Sequence, residues 1–272
     1  MTRIACWTAA PRVGDLAGNC ARSVAAVREA VTAGAGLVVL PELVTSGYVF
    51  TSPQEAAGLA IDPGHEVFAQ WSRAAGDAVV VGGFCELAPD GTVFNSAAVV
   101  DATGVLAVYR KVHLWDEEKR FFTAGDAPPP VLDTRAGRVA PLVCYDLEFP
   151  ELTRALALAG AEVLAVPTNW PLVPRPDGER PPEVVIAMAT ARVNRVVVAC
   201  CDRTGTERGV RWTAGTTVVG ADGWPVASRD AEGLLLAEVD LALARDKRLT
   251  ARAHLFEDRR PDVYRAPAPV RG

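Results

Sequence analysis

Apolar and polar positions in this chain alternate in two rhythms that take turns. RIACWT (3–8) has the short, apolar-rich composition of a strand, and the stretch from Leu16 to Ala33 repeats apolar residues at the spacing of an amphipathic helix. LVVL (37–40) predicts a buried strand stopped by Pro41, and the segment from His65 to Ala75 suits a second helix. AVVVGGFCEL (78–87) follows as a strand. PDGTVFNSAAVVDATGVLAVYRK (89–111) reads as a hairpin-like pair around the turn signal DATG.

The second half repeats the alternation. Two short strands flank Arg135 to Arg138, the second running into Cys144, and a helix is expected from Pro150 to Ala159. A strand at 162–166, a long helix ending near Asn194 and a strand at 196–201 come next. TTVVGADGWPVAS and LLLAEVD make the last third strand-rich again. Such mixed strand pairs and helices predict an α/β sandwich rather than a purely doubly wound sheet.

TAGAGLVVLP (32–41) and LAGAEVLAVP (158–167) share a helix end, a glycine turn, a strand and a closing proline, in that order. Two like units predict approximate internal two-fold symmetry. Glu42 and Thr168 then occupy equivalent strand ends, where α/β sheets usually bind ligands. No linker divides the chain, and residues 174–182 read as a surface loop, so one domain over 1–272 is expected.

Composition narrows the class. Half of the 272 residues are hydrophobic, 22% are charged, and the net charge is −5, with no basic stripe to neutralise phosphates; nucleic acid is excluded as an expected partner. The N-terminus has no long apolar run and no segment reaches membrane-spanning length, so a cytoplasmic protein with no membrane partner is expected. Six cysteines in so long a chain do not form a disulfide framework; Cys6, Cys20, Cys85, Cys200 and Cys201 read as buried small hydrophobes. Without CxxC, HExxH or clustered histidines, no metal is expected.

Cys144 stands apart. In LVCYDLEFPE (142–151) it follows a strand and precedes a proline-started helix, a turn that exposes a side chain and frees the next backbone N–H for an oxyanion. A nucleophilic thiol needs a proton acceptor. His113, in YRKVHLWD, is one candidate; Glu42, directly after a buried strand and a proline, is another if its pocket raises its pKa. Lys111, closing the strand LAVYRK, would favour thiolate and then hold an oxyanion.

PELVTSGY, YRKVHLWDEE and LVCYDLEFPE, in that order, resemble the carbon–nitrogen hydrolase (nitrilase) superfamily, and PTNWP (167–171) and residues 191–209 extend the resemblance over essentially the whole chain. The resemblance implies an αββα four-layer sandwich and a cofactor-free Glu-Lys-Cys hydrolase. It implies Cys144 as nucleophile, Glu42 as general base, Lys111 as the positive charge and Glu118 as an assisting acid, with Glu117 a surface neighbour. Tyr145 would offer its backbone N–H to the oxyanion, and His113 would be structural. Tyr48, Asn169 and Trp170 are the pocket candidates.

CYD followed by FPE looks like the amidase-type branches, which implies a small or medium amide as the partner molecule; a nitrile or an N-carbamoyl amide is the alternative. A catalytically silent binding protein of the same fold is the non-enzyme alternative, opposed by the intact set of charged residues. Asp202 before Arg203, and the proline-rich loop 171–183, depart from the family pattern where substrate would be read. A homodimer or higher homo-oligomer is implied by resemblance alone.

Overall fold

The computed structural model describes residues 1–264, so the end of the expected 1–272 domain lies outside the described residues. The first half runs β1 (Thr2–Thr8), α1 (Leu16–Thr32), β2 (Leu37–Val39), α2 (Pro53–Leu59), α3 (Glu66–Ala75), β3 (Val79–Leu87), β4 (Val93–Asp101) and β5 (Gly104–Arg110). The second half runs β6 (Leu132–Thr134), β7 (Gly137–Pro141), α4 (Pro150–Leu158), β8 (Val163–Pro167), α5 (Pro182–Asn194) and β9 (Val197–Cys201). A small hairpin, β10 (Thr206–Glu207) and β11 (Val210–Arg211), precedes β12 (Thr216–Val219), β13 (Pro225–Arg229) and β14 (Gly233–Val239). A short α6 (Ala242–Arg245) and a two-stranded β15 (Arg248–Thr250) and β16 (Ala253–His254) follow.

Two six-stranded sheets result, ordered β14-β1-β2-β3-β4-β5 and β13-β12-β9-β8-β7-β6. In the first, β1, β2 and β3 are parallel and β4, β5 and β14 join antiparallel; in the second, β7, β8 and β9 are parallel and β6, β12 and β13 join antiparallel. Reading the second sheet from β6 reproduces the first from β14, so the two halves are related by approximate two-fold symmetry. The repeated motif occupies equivalent places, α1-to-β2 and α4-to-β8.

Strand alternation decides the layers. From the first sheet Ala5, Val38, Val80 and Ala98 pack outward against α1 and α3, while Cys6, Val39, Val81 and Val99 point inward to the second sheet. There α4 and α5 cover the opposite side, Ala187 and Ala191 lying against that core. The order is helix, sheet, sheet, helix.

Most expected elements are present within a residue or two. The strand approaching Cys144 ends at Pro141, because the chain must leave the ladder to enter a turn at Cys144–Glu148. His65 lies outside its helix and caps it, its ring accepting from Val67 N–H at 3.2 Å. The short α2 was not expected from periodicity; Ser52 caps it and Pro53 opens it.

Candidate active site

β2, β5 and β7 all end on the same side of the two sheets, and each delivers one charged or sulfur-bearing residue just past its last rung. After β2 the chain turns at Pro41, and its loop is pinned to β3 by Gly83 N–H to the Pro41 carbonyl (3.1 Å) and Val44 N–H to the Gly83 carbonyl (3.0 Å). Glu42 is thereby held fully buried. Gly83 has to be glycine: a Cβ there would meet the Glu42 Cα at 2.5 Å.

Lys111 follows β5, its N–H bonded to the Asn95 carbonyl at 2.8 Å, and its side chain is also fully buried. Its Nζ donates to Glu42 Oε1 and to Glu118 Oε1, each at 2.8 Å. Asn95 Nδ2 donates to the same Glu42 oxygen at 2.7 Å, whereas buried Glu42 Oε2 has no partner among the described residues. Glu118, on the single turn Asp116–Arg120, accepts from the Tyr48 hydroxyl (2.5 Å) and the Trp115 N–H (3.1 Å).

Cys144 opens the turn after β7 with φ of 48°, a left-handed conformation that costs a non-glycine residue about 1–3 kcal/mol. Asp146 braces that turn. Its carboxylate accepts from Val143 N–H (3.1 Å), the Tyr109 hydroxyl (2.8 Å) and His113 N–H (3.1 Å), and lies 2.8 Å from His113 Nδ1. His113 then stacks on Phe149, ring centroids 3.5 Å apart. Asp146 N–H returns to the Val143 carbonyl at 3.0 Å, so the N–H of Tyr145, in the first turn, has no partner within the turn.

The electrostatics follow from burial. Glu42 is pushed up to about 7 by loss of solvent, with Lys111 pulling it down and Glu118 pushing it further up. Burial pulls Lys111 down, but Glu118 and Glu42 outweigh it and leave the ammonium held above its usual range. The Cys144 thiol is raised by burial and then by Glu42, with Lys111 and the backbone N–H of Asn169 opposing. A neutral thiol therefore sits beside an ammonium and a carboxyl poised near neutrality, a set that titrates as one unit.

A cavity of about 350 Å³ opens beside Glu118, walled by Tyr48, Phe50, Trp115, Phe121 and Trp212 among others. Asn169 reaches the cluster, Nδ2 donating to the Glu42 carbonyl at 3.0 Å, so the two equivalent strand-end loops meet here. Trp170 is buried against Gly215 and is not among the cavity's lining residues, while the next residue, Pro171, is. Nor do Asp202 and Arg203 line it. Asp202 accepts backbone N–H groups of Trp170, Arg203 and Gly215, and Arg203 pairs with Glu207 and lies 4.5 Å from the Trp212 ring. Asn95 and Trp212 were not singled out from sequence. An asparagine inside the apolar run VFNSAAVV was the available signal for the first; nothing local marked the second.

A carbon-nitrogen hydrolase family profile matches residues 3–249. The chain belongs to that family. Within it, a nitrilase of Pyrococcus abyssi (strain GE5 / Orsay) is 35% identical, covering 97% of this chain and 99% of its own. An N-carbamoylputrescine amidase of Arabidopsis thaliana is 31% identical over 92% of this chain and 90% of its own. A single-residue mutant of the amidase from Nesterenkonia sp. AN1 has the same fold, with a TM-score of 0.75 at 30% identity over 91% of this chain and 94% of that one; in that mutant's structure the acetamide moiety of fluoroacetamide is added covalently at the active-site cysteine.

This hydrolase is thus a member of the amidase-type branch of the nitrilase superfamily, acting on carbon–nitrogen bonds through a cysteine nucleophile. No helix among the described residues is long and apolar enough to cross a membrane. Among them, no group of three His, Cys, Asp or Glu side chains converges as a metal would require.

Proposed function

We propose that the hydrolase cleaves a non-peptide amide of a small or medium carboxylic acid, with Cys144, Glu42 and Lys111 as its reacting groups. The observation that carries this reading is the Lys111 ammonium donating to Glu42 and Glu118 at 2.8 Å, while the second Glu42 oxygen has no partner among the described residues and lies near Cys144.

Glu42 takes the proton of Cys144 as its sulfur bonds to the amide carbon. The carbonyl electron pair moves to oxygen, where the third Lys111 N–H and the Tyr145 N–H receive it. Glu42 returns the proton to the leaving nitrogen, the C–N bond breaks, and ammonia or an amine departs from a thioester. Glu42 then removes a proton from water as it attacks that carbonyl; the C–S bond breaks and the sulfur regains the proton. Glu118 orients Lys111. A panel of primary amides should release ammonia, with an acyl adduct on Cys144 in intact-mass spectra. Turnover persisting in Cys144→Ala would overturn the scheme.

Similarity to the Pyrococcus abyssi nitrilase supports a second reading, nitrile hydrolysis by the same groups, and the Arabidopsis relative supports N-carbamoyl amides. Matched nitrile, amide and carbamoyl substrates rank the three by rate of acid or ammonia release.

We also read the protein as cytoplasmic and at least dimeric. Six unpaired thiols suit a reducing compartment, and exposed Val185 and Val193 give α5 an uncovered apolar face. Sedimentation showing only monomer would reject the dimer.

A further inference from the structure

Tyr48 lies between β2 and α2, in a stretch of turns and bends where no sheet or helix holds it. Its place is set by Glu207, which ends β10 in the second half of the chain. The buried Glu207 carboxylate accepts the Tyr48 N–H at 2.9 Å and the Val49 N–H at 2.7 Å, both on Oε2. Arg203, also buried, binds the same carboxylate, Nη1 to Oε2 and Nη2 to Oε1, each at 3.0 Å. Its Nη2 donates to the Pro11 carbonyl as well (2.9 Å), and its guanidinium lies 4.5 Å from the Trp212 ring centroid. Trp212 in turn packs edge-on against the Tyr48 ring, centroids 5.3 Å apart. One ion pair therefore sets both the backbone and the ring of Tyr48.

The far end of Tyr48 reaches the reacting groups. Its hydroxyl donates to Glu118 Oε1 at 2.5 Å, and that same oxygen accepts from Lys111 Nζ at 2.8 Å. Glu42 and Cys144 are within electrostatic reach of the hydroxyl. A buried ion pair such as Arg203–Glu207 is a poor source of net stability, because desolvating two charges costs about what their attraction returns. It is well suited to fixing direction, since hydrogen bonds in a dry site depend steeply on angle and reinforce one another.

Resting on the amidase reading above, we propose that Arg203 and Glu207 are positioning residues for the reaction: their ion pair fixes Tyr48, and the Tyr48 hydroxyl holds Glu118 and, through it, the Lys111 ammonium in place beside Glu42 and Cys144. No step of bond cleavage passes through the pair. It acts between the two halves of the chain, Glu207 standing 159 positions beyond Tyr48, and it gives Tyr48 a role besides lining the cavity.

Alkylation of Cys144 by iodoacetamide, followed against pH by peptide mass spectrometry in the full chain, reads the ionised cluster without any amide turnover. The Tyr48 hydroxyl donates to a carboxylate, so in Tyr48→Phe the Glu42–Glu118 set should give up its last proton at higher pH. The rising limb of the labelling rate should then move up by about one pH unit, the effect of one hydrogen bond to a charged group. Glu207→Gln should move the limb in the same direction, and adding it to Tyr48→Phe should move it no further, because both act through one hydroxyl. Thermal melts establish that the variants are folded; if Glu207→Gln is not, Arg203→Lys, which keeps the charge and loses the planar fork, takes its place in the cycle. With butanamide as substrate, Tyr48→Phe should lower kcat about tenfold and leave KM within about twofold. A limb unmoved in Tyr48→Phe, shifts that add in the double variant, or a Cys144 that iodoacetamide does not label overturns the proposal. Shifts as expected in a protein that hydrolyses no amide would leave Arg203 and Glu207 as assigned and defeat the amidase reading instead.

Discussion

His113 Nδ1 lies 2.8 Å from Asp146 Oδ1, which commits the one histidine near Cys144 to bracing the turn rather than to drawing its proton. Asp146 accepts from that ring's residue, from Tyr109 and from Val143, and is itself fully buried. Asp146→Ala leaves several buried donors unmatched and frees Cys144 from its left-handed conformation. The expected loss is about 3 kcal/mol of stability, read by urea denaturation, together with a fall in kcat. His113→Ala should cost less, since it removes the Phe149 stack and one ring contact.

Replacing Lys111 by Met should destabilise the protein by about 3–5 kcal/mol, because Glu42 and Glu118 would share a dry site without a cation. The loss should be largest at high pH, where both carboxyls must carry charge, and smaller in acid. A stability-pH curve that runs parallel to wild type would reject the ion cluster as the cause.

Glu42 is raised to about 7, and the sign of the consequence differs for activity and stability. As the proposed general base Glu42 must be ionised, so kcat/KM should rise with pH through about 7, and Glu42→Gln should abolish that limb with a fall of about 10²- to 10⁴-fold. A carboxyl whose folded pKa exceeds its unfolded value binds its proton more tightly when folded. Its contribution to stability is therefore present below about 4.5 and is lost as pH climbs through about 7.

The thiol is raised by burial and by Glu42, so Cys144 is not a free-standing thiolate at neutral pH. Iodoacetamide should react with it at a rate that follows ionisation of the Glu42 cluster, and slowly in Glu42→Gln. Equal alkylation rates in the two proteins would show that the sulfur ionises without Glu42.

Gly83→Ala puts a methyl group 2.5 Å from the Glu42 Cα and 2.6 Å from Leu43 N. The Glu42 loop has to move, and a displacement of about 1 Å at a reacting group costs on the order of 10²-fold in rate. Steady-state kinetics should show the loss in kcat, with the far-ultraviolet circular dichroism spectrum retained.

What could be read from sequence follows from how local the signal was. The strands and outer helices were legible because period-two and helical spacing act within a few residues, and the repeat at 32–41 and 158–167 exposed the symmetry. The order of PELVTSGY, YRKVHLWDEE and LVCYDLEFPE brought forward Glu42, Lys111, Glu118 and Cys144, three of which the fold joins by hydrogen bonds. Asn95 was not legible, because its partner Glu42 is 53 positions away. Trp170 shows the limit of a local signal: proximity in sequence to a strand end does not say which way a ring faces, and Asp202 accepts the Trp170 N–H while the neighbouring Pro171 lines the cavity. Asp202, which departs from the family pattern, accepts the backbone N–H groups of Trp170, Arg203 and Gly215 through its carboxylate, contacts between distant segments that its sequence neighbourhood does not reveal.

Glu42 and Lys111 are carried by one sheet and Cys144 by the other. In the proposed scheme neither half of the molecule holds a complete reactive set, so a chain emerging from synthesis or partly melted would have the thiol without its base and the base without its thiol. On the proposed roles the reacting groups come together only where the two sheets meet, so a substitution that loosens that seam should lower turnover before it unfolds either sheet.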